Sequence, residues 1–417
     1  MNTFRGLVVV FLLLVLGTSA RAGIINRFSI GRVFYPIPNL GRLNRELHGK
    51  VIDFSHNHGA DNRIWSDALC EKRDLYVYVP PCYDPRQAYP LIILFHGFLQ
   101  DEVIALHLVR TFDDAIANGE LPPVIIAAPD GSIRGRPTIL NGGSFYVNSK
   151  AGRFEDYIMQ DVWSFVHRRF CIRPEREAHA LVGGSMGGFG AFNFGIKYRD
   201  RVGTVAGLLP PLNLRYADCY GRYFSNFDPT CLGWREHFRP WMPVARFYYV
   251  IVVRERRLTI PLYGRRADEM AAVSLENPVE MLFYYDVQPG ELEMFVGYGG
   301  KDQFNLGAQA ESFLYFARLK GLDVTSVYHP NGKHSVESAM SFAPELFCWL
   351  KPRLGPYAPW FDCCPTMLPH FPEQSPSPAM ETTNNTSVPL CYTPSTCCPA
   401  ANTKERRPWL RHHFGLK

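Results

Sequence analysis

Between residues 50 and 352, short apolar runs rich in β-branched side chains alternate with longer amphipathic stretches, which predicts strands alternating with helices around a parallel sheet. Strands are expected at 75–79, 91–95, 124–128, 178–182, 202–208, 294–298 and 324–328, and helices at 157–169, 187–198, 308–320 and 336–350. Several of the strand runs are apolar throughout instead of alternating, as they must be when helices cover both faces of a sheet. The expected core is therefore one doubly wound α/β domain.

Two stretches break this rhythm. Residues 210–285 are rich in aromatic and arginine side chains without a clear period, among them Trp234, Trp241, Tyr248, Tyr249, Arg254, Arg256 and Arg257. An insertion over a binding site is one reading, because open α/β sheets bind ligands beyond the carboxyl ends of their strands; peripheral packing of an ordinary crossover is the other. After Pro352 the chain turns Pro-, Ser-, Thr- and Cys-rich and reads as a weakly structured tail, in which Asn384 and Asn385 each begin a glycosylation sequon.

At the other end, Arg5 precedes an apolar run from Leu7 to Leu16 and small residues ending in Ala20-Arg21-Ala22, the layout of a secretory signal peptide cleaved after Ala22. The run is shorter than the ~20 residues a spanning helix needs. The expected division is a signal peptide at 1–22, an N-terminal extension at 23–49, the α/β domain at 50–352 with the insertion at 210–285, and the tail at 353–417. A secreted, periplasmic or cell-surface location follows as an expectation, with surface attachment through the tail and no transmembrane segment after cleavage.

Export makes the 11 cysteines legible as disulfide partners, and their odd number leaves at least one unpaired or intermolecular. Cys219 and Cys231 flank a short loop that one bridge could close; Cys363, Cys364, Cys397 and Cys398 stand in the tail. With no CxxC pair and no close Cys/His spacing, no metal site is expected. The net charge of +5 is modest for 417 residues and partly reflects the basic end from Lys404 to Lys417, so no nucleic-acid partner is expected.

The sharpest chemical signal is Gly183-Gly184-Ser185-Met186-Gly187, which follows an apolar strand and opens a helix. A nucleophile on so sharp a turn needs small neighbours, and Gly183 and Gly187 supply them. The helix start aims free N–H groups at the place where an oxyanion would form, with Met186 N–H the first donor. His96-Gly97-Phe98 follows the strand at 91–95, where Phe98 N–H is expected as the second donor; the His96 side chain reads as a structural histidine, not a base.

A serine hydroxyl needs an imidazole to take its proton and a carboxylate to hold that imidazole. Asp302 stands just beyond the strand at 294–298, and His334 just beyond the next strand, in the order Ser, Asp, His. The rivals are weaker. Asp323 precedes its strand and so lies at the wrong end of the sheet, while His329 sits before the turn Pro330-Asn331-Gly332.

Taken with Arg73-Asp74-Leu75-Tyr76-Val77-Tyr78-Val79-Pro80-Pro81, Leu91-Ile92-Ile93-Leu94-Phe95-His96-Gly97 and Gly332-Lys333-His334-Ser335, these motifs resemble the esterase family that includes esterase D, feruloyl esterases and the mycolyltransferases. The resemblance runs from about residue 50 to residue 352. It implies an α/β-hydrolase fold, a triad of Ser185, Asp302 and His334, oxyanion donors on Phe98 and Met186, and no metal or organic cofactor. It also implies a small-molecule or glycan-linked ester as substrate, such as a feruloyl or acetyl ester. An acyltransferase on the same fold is the alternative, and a non-catalytic surface binding protein a more distant one.

Overall fold

The computed structural model describes residue 32 and residues 34–359, apart from 136, 139–141, 248–250 and 265–268. The expected signal peptide, the sequons, the five tail cysteines and the basic end all lie outside the described residues, as do Tyr248 and Tyr249.

Eight strands form the central sheet. In chain order they are β1 (Lys50–Phe54), β2 (Leu75–Val79), β3 (Leu91–Phe95), β4 (Ile125–Pro129), β5 (His179–Gly184), β6 (Thr204–Leu208), β7 (Glu293–Gly299) and β8 (Thr325–His329). Their order across the sheet is β1-β2-β4-β3-β5-β6-β7-β8. β1 and β2 pair antiparallel, as do β2 and β4, and the remaining pairs are parallel. The strand at 50–54 escaped the sequence reading because it is a half-exposed edge strand without an apolar run.

Among the described helices are α1 (Leu40–Glu46), α2 (Val103–Ala117), α3 (Trp163–Arg169), α4 (Met186–Lys197), α5 (Glu255–Tyr263), α6 (Pro278–Tyr284), α7 (Leu306–Leu319), α8 (Val336–Met340) and α9 (Ala343–Leu354). Alternate strand residues supply the two cores. Tyr76, Tyr78, Ile92, Ile126, Val182, Ala206 and Phe295 pack with α2 and α9 on one face. On the other, Phe192 of α4 meets Phe313 of α7 edge to face at 5.3 Å, and a Cβ on Gly195 would lie 2.2 Å from Val205 Cγ1, so α4 rests directly on the sheet.

Three boundaries differ from the sequence reading. Helix α2 was not anticipated, although its apolar positions recur at helical spacing; Glu102 before it makes no side-chain cap bond. The helix expected at 336–350 is two helices, because Phe342 turns inward against Gly297 and Pro344 restarts the chain in the first turn of α9. The first part of the helix at 157–169, Tyr157–Val162, winds as a wider π-turn.

The described fold also continues beyond Pro352. Leu354 is fully buried, and Arg173 Nε donates to Tyr357 O at 3.0 Å. At the start, Leu43 joins the core and Asn44 exchanges hydrogen bonds with both backbone groups of Val51, which ties α1 to β1. No described helix is long and apolar enough to cross a membrane.

Candidate active site

Strand β5 ends at Gly184, and Ser185 adopts φ 53° and ψ −120° before α4 begins at Met186. For a residue with a Cβ this conformation costs on the order of 1–3 kcal/mol. Its surroundings hold it there: Ser185 N–H donates to Leu208 O at 2.8 Å. The flanking glycines are required by close backbone approach, since a Cβ on Gly187 would lie 2.2 Å from Phe95 O and one on Gly183 would lie 2.3 Å from the carbonyl carbon of Gly187.

The loops after β7 and β8 are joined to each other. Gly300 N–H donates to His329 O and Lys301 N–H to Gly332 O, at 3.0 and 2.9 Å. This brings Asp302 and His334 together at the carboxyl ends of neighbouring strands. Ser185 Oγ lies 2.9 Å from His334 Nε2, and His334 Nδ1 lies 2.8 Å from Asp302 Oδ2. Those two bonds define the tautomer, with Nδ1–H donating to the carboxylate and Nε2 accepting from the serine.

Asp302 is held on both oxygens, because Phe304 N–H donates to Oδ1 at 2.8 Å. Its side chain is 1% exposed, against 16% for His334. The acid is thus shielded while the imidazole still reaches the cavity.

Around this chain lie residues the sequence reading did not single out. Gln303 Oε1 accepts from His334 N–H at 2.8 Å, and the Phe304 ring stands 4.6 Å from the imidazole, centroid to centroid. Tyr223 donates its hydroxyl to Phe304 O at 2.6 Å, and burial pushes its phenol upward so that it stays protonated. The rivals sit elsewhere: His329 bonds Ser341 Oγ and stacks on Phe342, and Asp323 is exposed ahead of β8.

Met186 N–H is the first amide of α4 and has no acceptor within its helix. The Phe98 loop turns back through Leu99, at φ 63°, whose N–H donates to Gly142 O at 2.8 Å. Gly142 and Gly143 crowd against the Phe98 ring and the Met186 sulfur, where a Cβ would come within 2.2 and 2.3 Å. The pair Gly142-Gly143 is a signal the sequence offered and the reading did not use.

His96 is buried beneath this loop. Its Nδ1–H donates to Gly97 O at 2.9 Å and its Nε2 accepts from Gly131 N–H at 2.8 Å, a bridging arrangement with no free nitrogen to act as a base. Gly97 N–H is held by Gln100 Oε1 at 2.8 Å.

Below it, Asp74, Glu102 and Asp130 form a buried carboxylate group. Burial works against ionisation of Asp130, but the Arg73 guanidinium at 2.8 Å, together with His96 and Ser132, outweighs it and lowers the carboxyl to about 2. Glu102 is pushed well above the usual carboxylate range by burial and by Asp130, and Arg32 only partly offsets this. With Arg73, Arg32 and His56 already bonded to these acids, the group is a structural ion cluster and not an open ligand set.

Ser185, His334, Phe98 and Met186 open into a cavity of about 1510 Å³. Part of its lining comes from the aromatic and arginine-rich segment, including Val244, Phe247, Arg254, Arg257 and Leu262. Another part of that segment, α6, packs instead against α4 and α7, so the two readings of 210–285 describe different portions of it. Cys219 and Cys231 form a disulfide within it, and Cys82 is disulfide-bonded as well.

Residues 66–346 match the model of the family described as "Putative esterase". An esterase of Mycobacterium tuberculosis, found in two strains, is 28% identical over 247 residues, covering 57% of this chain and 46% of its own length. The chain therefore spans about half the length of the curated relatives it matches. A 129-residue stretch, 30% of the chain, is 31% identical to endo-1,4-beta-xylanase Y of Acetivibrio thermocellus and covers 11% of that protein.

Among solved structures, a ferulic acid esterase superposes with a TM-score of 0.54 at 17% identity, covering 74% of this chain and 100% of that one. An S-formylglutathione hydrolase of Agrobacterium tumefaciens superposes with a TM-score of 0.54 at 18% identity, covering 74% and 97%. At these identities the likeness establishes the α/β-hydrolase fold.

Proposed function

The chain belongs to the esterase family whose model it matches, and on that premise we propose that it hydrolyses carboxylic esters through an acyl-enzyme on Ser185. The observation that carries the reading is the hydrogen-bonded chain from Ser185 through His334 to Asp302, set on a strained strand-to-helix turn. His334 Nε2 takes the serine proton as Oγ attacks the ester carbonyl. The N–H groups of Met186 and Phe98 hold the developing oxyanion, and the imidazolium returns the proton to the leaving alcohol. Water then attacks the acyl-enzyme by the reverse route. Asp302 stays ionised and keeps the imidazole in its working tautomer, while Gln303 fixes the loop that carries it.

Exported location belongs to the same proposal, supported by the signal-like N-terminus and by the Cys219–Cys231 bridge, which an oxidising compartment favours. N-terminal sequencing of secreted protein should begin at Gly23; an intact Met1 on active protein would sink that part.

The catalytic reading is tested by rapid mixing with p-nitrophenyl acetate and mass analysis of the quenched protein. An acetyl group on the peptide containing Ser185, gained and lost at the turnover rate, is the expected result. Turnover without such an adduct, or with the adduct elsewhere, would remove Ser185 from the mechanism.

A further inference from the structure

The cavity is larger than a small acyl group needs. Ligand pockets run to roughly 300–1,000 Å³, and this one measures about 1510 Å³. Part of it runs into the seam between the sheet and its covering helices. Ile104, Ala105 and Leu108 of α2 face Ala343, Leu346 and Phe347 of α9 across that seam, and the sheet contributes Leu94, Val182 and Leu208. A separate void of about 20 Å³, the size of a single water, is lined by four of the same residues, Leu94, Ala105, Phe112 and Ala128, between α2 and the sheet.

We propose that this seam is the acyl site of the esterase and that the substrates are esters of long-chain fatty acids. The inference rests on the catalytic reading given above, since the same cavity holds Ser185 and His334. An acetyl group reaches little of this apolar lining, whereas an alkyl chain meets apolar side chains along it and brings no polar atom of its own that would need a partner there. Of the carboxyls that line the cavity, Glu102 is held toward its neutral form by burial and neighbouring acids, while Glu337 of α8 and Glu255 of α5 also line it. The other side of the cavity carries Arg235, Arg254 and Arg257, where methylenes would displace water from cations. That side suits a polar leaving alcohol. Helix α2 follows the Phe98 loop directly, so a carbonyl oxygen held at Phe98 N–H starts its chain at the mouth of the seam.

The test is a p-nitrophenyl ester series from acetate to laurate, below micelle-forming concentrations, on the full chain and on Ala105→Phe and Ala343→Phe. For the unsubstituted protein, kcat/KM should rise about fourfold per added methylene until the seam is full. Each filled variant, checked for folding by circular dichroism, should lower the laurate-to-acetate ratio at least tenfold.

A profile that is flat or falls with chain length while acetate is turned over would overturn the acyl site and leave the esterase reading intact. Unchanged ratios in both folded variants would do the same. If no ester is hydrolysed, the catalytic reading has failed and the site is tested by binding alone. Ser185→Ala should bind a fluorescent long-chain fatty acid displaced by laurate and not by acetate, and Ala105→Phe should lose it. No displaceable binding would overturn the proposal independently of catalysis.

Discussion

The turn that carries Ser185 and the segment that lines the cavity from Val244 to Tyr263 are built on opposite principles. At the turn, backbone meets backbone: Gly183, Gly187 and Phe95 leave no space for one added carbon. Along the wall, side chains meet side chains and solvent, as where Arg256 lies over the exposed Trp241 ring at 3.7 Å. A turn of the first kind fixes the position of a reacting atom and tolerates almost no change. A wall of the second kind can vary in sequence without disturbing the chemistry, which is how one catalytic frame can serve different substrates.

The contrast can be tested from its strongest side downward. His334→Ala should lower kcat roughly 10⁴-fold or more with the fold intact, because it removes the proton acceptor of Ser185. Gly187→Ala should cost about 3 kcal/mol or prevent folding, read by thermal melting, because its Cβ meets the Phe95 carbonyl and not a movable side chain. Gln303→Ala removes the acceptor of His334 N–H and should lower kcat roughly tenfold while KM changes little, since it loosens a catalytic loop without touching substrate. Behind the wall, Trp241→Ala, which removes the ring beneath Arg256, should cost no more than about 1 kcal/mol and leave acetate turnover unchanged. An equal effect of Trp241→Ala and Gln303→Ala on kcat would erase the distinction.

The buried acids beneath the oxyanion loop add a pH test. Glu102 has a folded pKa above its unfolded one, so the folded state binds more protons and stability falls as pH rises through that interval. Asp130 has the opposite sign: its folded carboxyl is lowered to about 2, and the stability it contributes is lost only as pH falls through the acid range toward that value. Glu102→Gln should therefore raise the melting temperature more at pH 8 than at pH 5. A gain that is larger at pH 5 would contradict the assignment of a neutral buried Glu102.

Legibility in the sequence divided along the same line as the architecture. The strands at 75–79 and 91–95 were readable to the residue because both faces are buried and the apolar run ends where the strand does. Ser185, Asp302 and His334 were readable because the chemistry restricts them to the carboxyl ends of strands, and the structure brings all three within hydrogen-bonding reach.

The seam between α2 and α9 was not readable. It arises from how two helices distant in sequence rest on one sheet face, and no local pattern encodes the gap between them. The break at Phe342 was hidden for a related reason: its cause is the space above Gly297, on another strand, although Pro344 marked the restart. Gln303 and Tyr223 act through a backbone amide and a carbonyl, which leaves no motif to find.

The most direct measurement compares p-nitrophenyl acetate hydrolysis by the full chain and by Ser185→Ala, with folding of both confirmed by circular dichroism. The account predicts a loss of kcat of roughly 10⁴-fold or more in the variant. Equal rates in the two proteins would contradict it, because the hydrogen-bonded chain at Ser185 would then have no part in the reaction.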